Sequence, residues 1–354
     1  MKILEIGPSV NRSKGGIATV ISGISESDKL NDIHYIDLFE SYIDGNLFKR
    51  LIFSIYSYFK IYKVYKNYDL FHIHMASYGS TYRKIYYIKF LKKKRKKVIL
   101  HIHGAEYLTF YNSLNSRKQK YIMDNLNKSD MIIALSEKWK YEFETQLNMK
   151  NVYVLNNGID TEDFQNAISN CIENKNKFLF LGRLGIRKGA YDLLKAIEEL
   201  KQEGITVKCY MAGDGEIGKF REIIYKKNLQ ECIEVIGWIG NNEKIKLLKN
   251  VSTVILPSYN EGLPMAILEG MACGKAIIST NVGAIPEVVI ENENGIIVEP
   301  GNIEQIKNAI KKVISNNENI MNMSKNNIEK IDKIYSRKKM HEILNKYFMS
   351  HEEK

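Results

Sequence analysis

The chain has 354 residues, of which 44% are apolar, 10% aromatic and 26% charged, with a formal net charge of +11. That length suits two ordinary domains, and the balance excludes disordered and fibrous classes. No run approaches the roughly 18 consecutive apolar residues of a membrane span. The four cysteines, Cys171, Cys209, Cys232 and Cys273, are widely spaced and form no C-x-x-C pair, so each reads as a small core residue rather than a zinc ligand or half a disulfide.

In chain order, the opening Met1 to Gly7 carries Glu5 and a glycine where a signal peptide would need its apolar stretch. It reads as a buried first strand of a cytoplasmic protein. Gly15-Gly16 follow and open a helix, where bare backbone approaches phosphate closely. Further strands are expected at 33–38, 70–74, 98–103, 131–135 and 152–155, with helical stretches between most of them. Residues 166–176 are polar and asparagine-rich, and read as a linker. A second series of strands follows at 178–181, 207–211, 234–236, 253–256, 276–279 and 296–298. Helices are expected at 189–203, 217–227, 242–248, 264–272 and 303–315, with a last one at 336–348.

Alternating strands and helices predict parallel sheets covered by helices. The expected domains are 1–165 and 177–335, joined by 166–176, with 336–354 packing back towards the first domain. Two such domains facing one another make a cleft, with ligand loops at the carboxyl ends of their strands.

Two segments concentrate positive charge. Residues 92–97 are six consecutive cations, and residues 49–65 interleave Lys49, Arg50, Lys60 and Lys63 with Leu51, Ile52, Phe53, Phe59 and other apolar groups. Anionic lipid attracts such cations and the aromatics suit its interface, so contact with an anionic membrane surface is expected. A solvated loop and a buried helix are the plainer alternative. No nucleic-acid module accompanies the charge.

The most informative string is Pro257-Ser258-Tyr259-Asn260-Glu261-Gly262-Leu263-Pro264, followed by a helix that carries Glu269. Pro264 is placed at the first helical position, which tolerates its missing N–H. The amides near Gly262 and Leu263 then lie at a helix start suited to phosphate. Glu269 lies five residues further on, about 7.5 Å along the axis. Carboxylates on either side of an anion site match a ligand with hydroxyls at both ends and phosphates between, as in a nucleoside diphosphate sugar. Arg183 and Lys188 follow a strand in a glycine-bordered loop, where two cations neutralise a diphosphate without a metal. The chain has no D-x-D triplet for metal chelation. Trp238 and Ile239, after Gly237, are expected to line a base pocket. His72 and His74, and His101 and His103, form two H-x-H pairs at strand ends. Zinc ligation by these four is the lesser reading beside ordinary strand-end residues, and no metal is expected.

Glu261 and Glu269 resemble the glutamate pair of the retaining glycosyltransferases of family 4, which have the GT-B fold of two Rossmann-like α/β domains. The likeness runs along nearly the whole chain: Gly15-Gly16, residues 98–104, Asn157-Gly158-Ile159-Asp160, Gly182-Arg183-Leu184 with Lys188-Gly189, residues 212–215, Gly237, Gly283 with Pro286-Glu287, and Asn294-Gly295. The resemblance implies transfer of a hexose from a nucleoside diphosphate sugar, a UDP-sugar by preference, with retention and without cofactor. It implies catalytic roles for His103, Arg183, Lys188 and Glu261, with His103 at the donor sugar. Donor binding falls to Gly15, Gly16, Ile239, Gly262, Leu263, Pro264 and Glu269. The expected acceptor is a saccharide or lipid-diphosphate-linked saccharide at the inner face of the plasma membrane, in polysaccharide or glycolipid assembly. A sugar-nucleotide epimerase of the same fold and a basic nucleic-acid binder are the rivals.

Overall fold

The computed structural model describes residues 1–351 except Lys14, Asn166, Ser169, Asn170 and Cys171. Cys171, parts of the expected linker and the charged end 352–354 therefore lie outside the described residues. The chain forms two compact units, one of Met1–Gly158 with Arg337–Lys354, the other Ile159–Ser336.

The first unit is a six-stranded parallel sheet: β1 (Lys2–Pro8), β2 (Tyr35–Tyr42), β3 (Leu70–Met75), β4 (Lys97–Ile102), β5 (Met131–Ala134) and β6 (Val152–Val154). Its order is β2-β1-β3-β4-β5-β6. The second sheet holds β7 (Lys177–Leu181), β8 (Lys208–Ala212), β9 (Ile233–Gly237), β10 (Thr253–Leu256), β11 (Ala276–Thr280) and β12 (Gly295–Val298). Its order is β12-β11-β10-β7-β8-β9. Each strand overlaps one expected from the sequence. Helices cover both faces of such sheets, which is why β3, β5, β10 and β11 are buried along their whole length and read as near-continuous apolar runs.

These orders place the ligand loops. In the first sheet the direction of winding reverses between β1 and β3, and in the second between β7 and β10. Loops leaving the two strands at a reversal diverge and open a crevice. The glycine loop after β1 and the segment 76–79 after β3 flank one crevice. Arg183 to Gly189 after β7 and the string after β10 flank the other.

Three expectations need correction. The first domain was expected to run to residue 165, but the chain enters the second unit at Ile159. Polar composition hid the anchors there: Phe164, in the helix Thr161–Gln165, is buried and its carbonyl accepts from Cys273 Sγ. A helix at Asn317–Lys330 was not foreseen. Only Ile320, Met323 and Asn327 face inward, so its apolar periodicity is thin. The Asn327 amide instead donates to the carbonyls of Lys275 and Asn294, both at 2.8 Å. Third, Pro264 is the residue before the helix Met265–Ala272 rather than its first residue, with an extended backbone (φ −73°, ψ 122°). Its carbonyl accepts from Ile267 N–H at 3.1 Å, which a preceding cap residue can do without an N–H of its own.

The last helix, Arg337–Met349, belongs to the first unit and buries Met340, Leu344 and Phe348. His341 Nδ1 meets Ser27 Oγ at 2.8 Å and Asn345 Oδ1 meets His34 Nε2 at 2.8 Å. Phe348 stands edge-on to the rings of His34 and His72. Cys209, Cys232 and Cys273 are buried.

The two basic segments differ in structure. The helix Leu47–Val64 buries Ser54, Ser57 and Ile61 while Leu47, Phe48, Leu51, Ile52, Tyr56 and Phe59 are exposed, Phe48 to 72% and Phe59 to 69%. An ordinary surface helix does the reverse. Ser57 is inside because its hydroxyl bonds Tyr87 OH at 2.8 Å. In residues 92–97, Lys92 pairs with Asp130 and Lys96 caps the Tyr68 carbonyl, so full exposure is left to Lys93, Lys94 and Arg95. Among the described residues, no helix is long and apolar enough to cross a membrane.

Candidate functional site

The crevice of the second unit gathers most of the expected residues. Lys188 Nζ donates to Glu261 Oε1, which also accepts from Ser258 Oγ at 2.7 Å. Glu261 is 6% exposed, so its charge needs this cation. The loop is positioned by close backbone packing that only glycine allows. At Gly283 (φ +55°) an added Cβ would lie 1.9 Å from the Glu261 carbonyl oxygen, and at Gly189 (φ +68°) 1.9 Å from that of Pro257. Ala284 N–H then donates to Gly262 O at 2.9 Å, and Thr280 Oγ1 to Ser258 O at 2.6 Å. Leu263 is buried beneath the loop.

Beyond Pro264, the amides of Met265 and Ala266 have no acceptor among the described residues, leaving the helix start open to an anion. Glu269, one turn on, is also 6% exposed and pairs with Lys244. Three partners escaped the sequence reading: Ser258, Lys244, and Arg187, whose guanidinium donates to Asn260 O at 3.0 Å. Lys244 lies 25 residues from Glu269 with no motif around it, whereas Ser258 stood inside the string and its spacing to Glu261 was a usable signal. Arg183 stands apart from Lys188 and Glu261. It is largely exposed and reaches Asp214 Oδ2 at 3.2 Å. Ile239 is half-buried beside exposed Trp238, after Gly237, whose carbonyl accepts from Gly213 N–H at 2.8 Å.

In the first unit, Gly15 precedes the helix Gly16–Ser25 with φ +124°, a conformation glycine adopts readily. His103 follows β4, and its N–H continues the ladder to Met75 O at 2.8 Å. Because His74 and His101 are register partners on β3 and β4, the two H-x-H pairs converge. Glu5, fully buried on β1, accepts from His74 Nε2 at 2.6 Å and from His72 Nδ1 at 2.9 Å. His74 Nδ1 in turn meets His103 Nε2 at 2.9 Å. A carboxylate that accepts at His74 Nε2 leaves Nδ1 as acceptor, so His103 carries its proton on Nε2 and presents Nδ1 bare. Burial, aided by neighbouring imidazoles, holds His74 and His101 far below the usual imidazole range, and brings His103 down to about 3. His72, His74 and His101 offer ligand atoms within 4.8 Å of one another. A cation bound there would have to displace Glu5 or His103 from His74, whose two nitrogens are both engaged.

The model described as "Glycosyl transferases group 1" matches residues 160–330, and that described as "Glycosyltransferase Family 4" matches 25–163. An uncharacterized glycosyltransferase of Methanocaldococcus jannaschii is 32% identical over 60% of this chain and 57% of its own length. The amylovoran biosynthesis glycosyltransferase AmsK of Erwinia amylovora is 24% identical over 67% of this chain and 59% of its own. The chain thus spans less than two thirds of the length of either. In the solved structure of Anabaena HepE in complex with UDP, the same fold superposes with a TM-score of 0.79 at 18% identity, over 99% of this chain and 100% of that one. The two family models meet near residue 160 and between them run from 25 to 330, and the chain belongs to the family 4 type of glycosyltransferases, with the GT-B fold.

Proposed function

We propose that the protein transfers a hexose, with retention and without a metal, from a nucleoside diphosphate sugar, a UDP-sugar by preference, to a saccharide or lipid-linked saccharide in bacterial polysaccharide or glycolipid assembly. The observation that carries this reading is the pair of buried glutamates on either side of an open helix start, each held by a lysine. In this reading the diphosphate lies on the amides of Met265 and Ala266, and Lys188 turns from Glu261 to the departing phosphate. Glu261 is then released to hold sugar hydroxyls, and Glu269 holds the ribose. Arg183 swings from Asp214 to add a second cation. In the first unit, Gly15 and Gly16 keep the phosphate-binding role and the bare Nδ1 of His103 the sugar-binding role that the resemblance implies. The leaving phosphate accepts the proton of the attacking hydroxyl. The UDP in the Anabaena protein and the amylovoran pathway of the Erwinia protein support the donor and process.

A donor screen with nucleotide release as readout, using lipid-linked saccharides as acceptors, tests it. UDP-sugar turnover that depends on acceptor is expected. Epimerised sugar nucleotide formed without acceptor would replace transfer by epimerisation.

The aromatic face of Leu47–Val64 is proposed to rest on the anionic inner surface of the plasma membrane, with Lys49, Lys60 and Lys63 at the headgroups. Phe48→Glu with Phe59→Glu should abolish sedimentation with anionic vesicles. Unchanged sedimentation would move membrane contact elsewhere.

A further inference from the structure

A cavity of about 430 Å³ opens in the first unit, between the glycine loop after β1 and the segment after β3. Among the described residues three cations line it, Arg50, Arg83 and Lys84, against one acid, Asp44. Lys84 is 3% exposed, and its ammonium bonds the Ile6 carbonyl and Ser41 Oγ. Arg50 and Arg83 both lie over the Tyr42 ring, at 5.3 and 5.0 Å from its centroid. Among the described residues none of the three forms an ion pair with a carboxylate. Burial and the neighbouring guanidinium accordingly pull the Lys84 ammonium well below the ordinary lysine range.

Among the described residues, four buried polar atoms of the same walls have no partner: Arg50 Nε, Arg83 Nε, Ser13 Oγ and Ser77 Oγ. Buried donors left unpaired are costly, and like charges brought together cost more. A bound anion relieves both. Guanidinium forks and hydroxyls are the groups that suit a phosphate oxygen set.

Gly15 and Gly16, given to the donor phosphates above, also line this cavity, while the second unit has its own anion loop, so the question is whose phosphate the two arginines take. Arg50 belongs to the helix Leu47–Val64, one turn from exposed Leu47 and next to exposed Leu51. An apolar chain attached to a phosphate at Arg50 therefore finds an apolar surface beginning beside it.

We propose that this cavity binds a phosphate group of a lipid-linked acceptor, with Arg50 and Arg83 gripping the phosphate and the exposed helix face seating the lipid. The proposal deepens the reading of the acceptor given above and rests on it.

Calorimetry on the full chain tests it, with UDP present at saturation so that the nucleotide site is filled. The probes are dodecyl phosphate, dodecyl maltoside and inorganic phosphate. Dodecyl phosphate is expected to bind about tenfold or more tighter than either other probe. Arg50→Gln and Arg83→Gln should each weaken it about tenfold, with Arg83→Lys in between, while UDP affinity stays within about twofold. Equal binding of the maltoside would reduce the site to apolar adsorption, and equal binding of inorganic phosphate would make it a free-anion site. Exclusion of dodecyl phosphate by UDP, or loss of UDP affinity in the arginine variants, would assign the cavity to the donor diphosphate. Each result overturns the proposal. If Arg83→Gln does not fold, Arg50→Gln decides alone. Failure of the wild type to bind UDP would count against the donor reading, while the phosphate comparison still decides this one.

Discussion

Acidification to pH 5.5 should destabilise the first unit far more than the second. His74, His101 and His103 are all held below the ordinary imidazole range, chiefly by burial. A base whose pKa is depressed in the folded state makes the unfolded chain the better proton binder. Its stability is therefore complete above about pH 6.5 and falls as pH drops through that value. For His103 the loss continues until the folded state protonates near 3. One unit below the unfolded value each imidazole costs roughly 1.4 kcal/mol, so the three together cost about 4 kcal/mol at pH 5.5. Against a typical total of ~5–15 kcal/mol that is a large share. The chain has two tryptophans, Trp139 in the first unit and Trp238 in the second. Trp238→Phe leaves fluorescence reporting on the first unit alone, and its urea midpoint should fall steeply between pH 7.5 and 5.5. Neither ring nitrogen of His101 has a partner among the described residues, so His101→Phe should recover about a third of the loss. A midpoint indifferent to pH, or an equal fall reported by Trp238 in a Trp139→Phe background, would refute the reasoning.

Glu269→Ala should weaken UDP binding about tenfold or more, and unchanged affinity would remove Glu269 from the ribose. Lys244→Met strands a buried carboxylate and should destabilise the second unit by about 3 kcal/mol, read as a lower urea midpoint from Trp238. Gly189→Ala drives a methyl group into the Pro257 carbonyl, and transfer should drop sharply while the first unit's midpoint stays put. Activity in excess chelator should equal that in buffer. A strict need for divalent metal would end the cation-only account of the leaving group.

The sheets were legible because parallel strands buried on both faces write themselves as apolar runs such as residues 98–100 and 276–278. Glu261 and Lys188 were legible as motif members, but their pairing was not. It arises from the reversal between β7 and β10, and strand order leaves no trace in local composition. Lys244 was invisible for the same reason. The helix Asn317–Lys330 was missed because a buried asparagine does work usually done by an apolar residue. The helix Leu47–Val64 showed its aromatics plainly, but periodicity could not say that its serines, not its phenylalanines, face inward. In the histidine pairs the sequence displayed four imidazoles and hid Glu5, which stands on a strand 67 residues before His72 and 69 before His74 and orders those two.

The chain leaves the first unit at Gly158 and returns at Arg337, and the two ends of the intervening segment are joined: Ile159 N–H donates to Tyr335 O at 2.8 Å. A ribosome makes these parts in order. Residues 159–336 emerge as a closed segment while the earlier sheet still lacks the helix Arg337–Met349. Until that helix arrives, the rings of His34 and His72 have no Phe348 against them, and Ser27 has no His341. The segment translated second is thus the first able to finish folding, and the nascent first unit waits, part of its core uncovered, for a helix encoded on the far side of its neighbour.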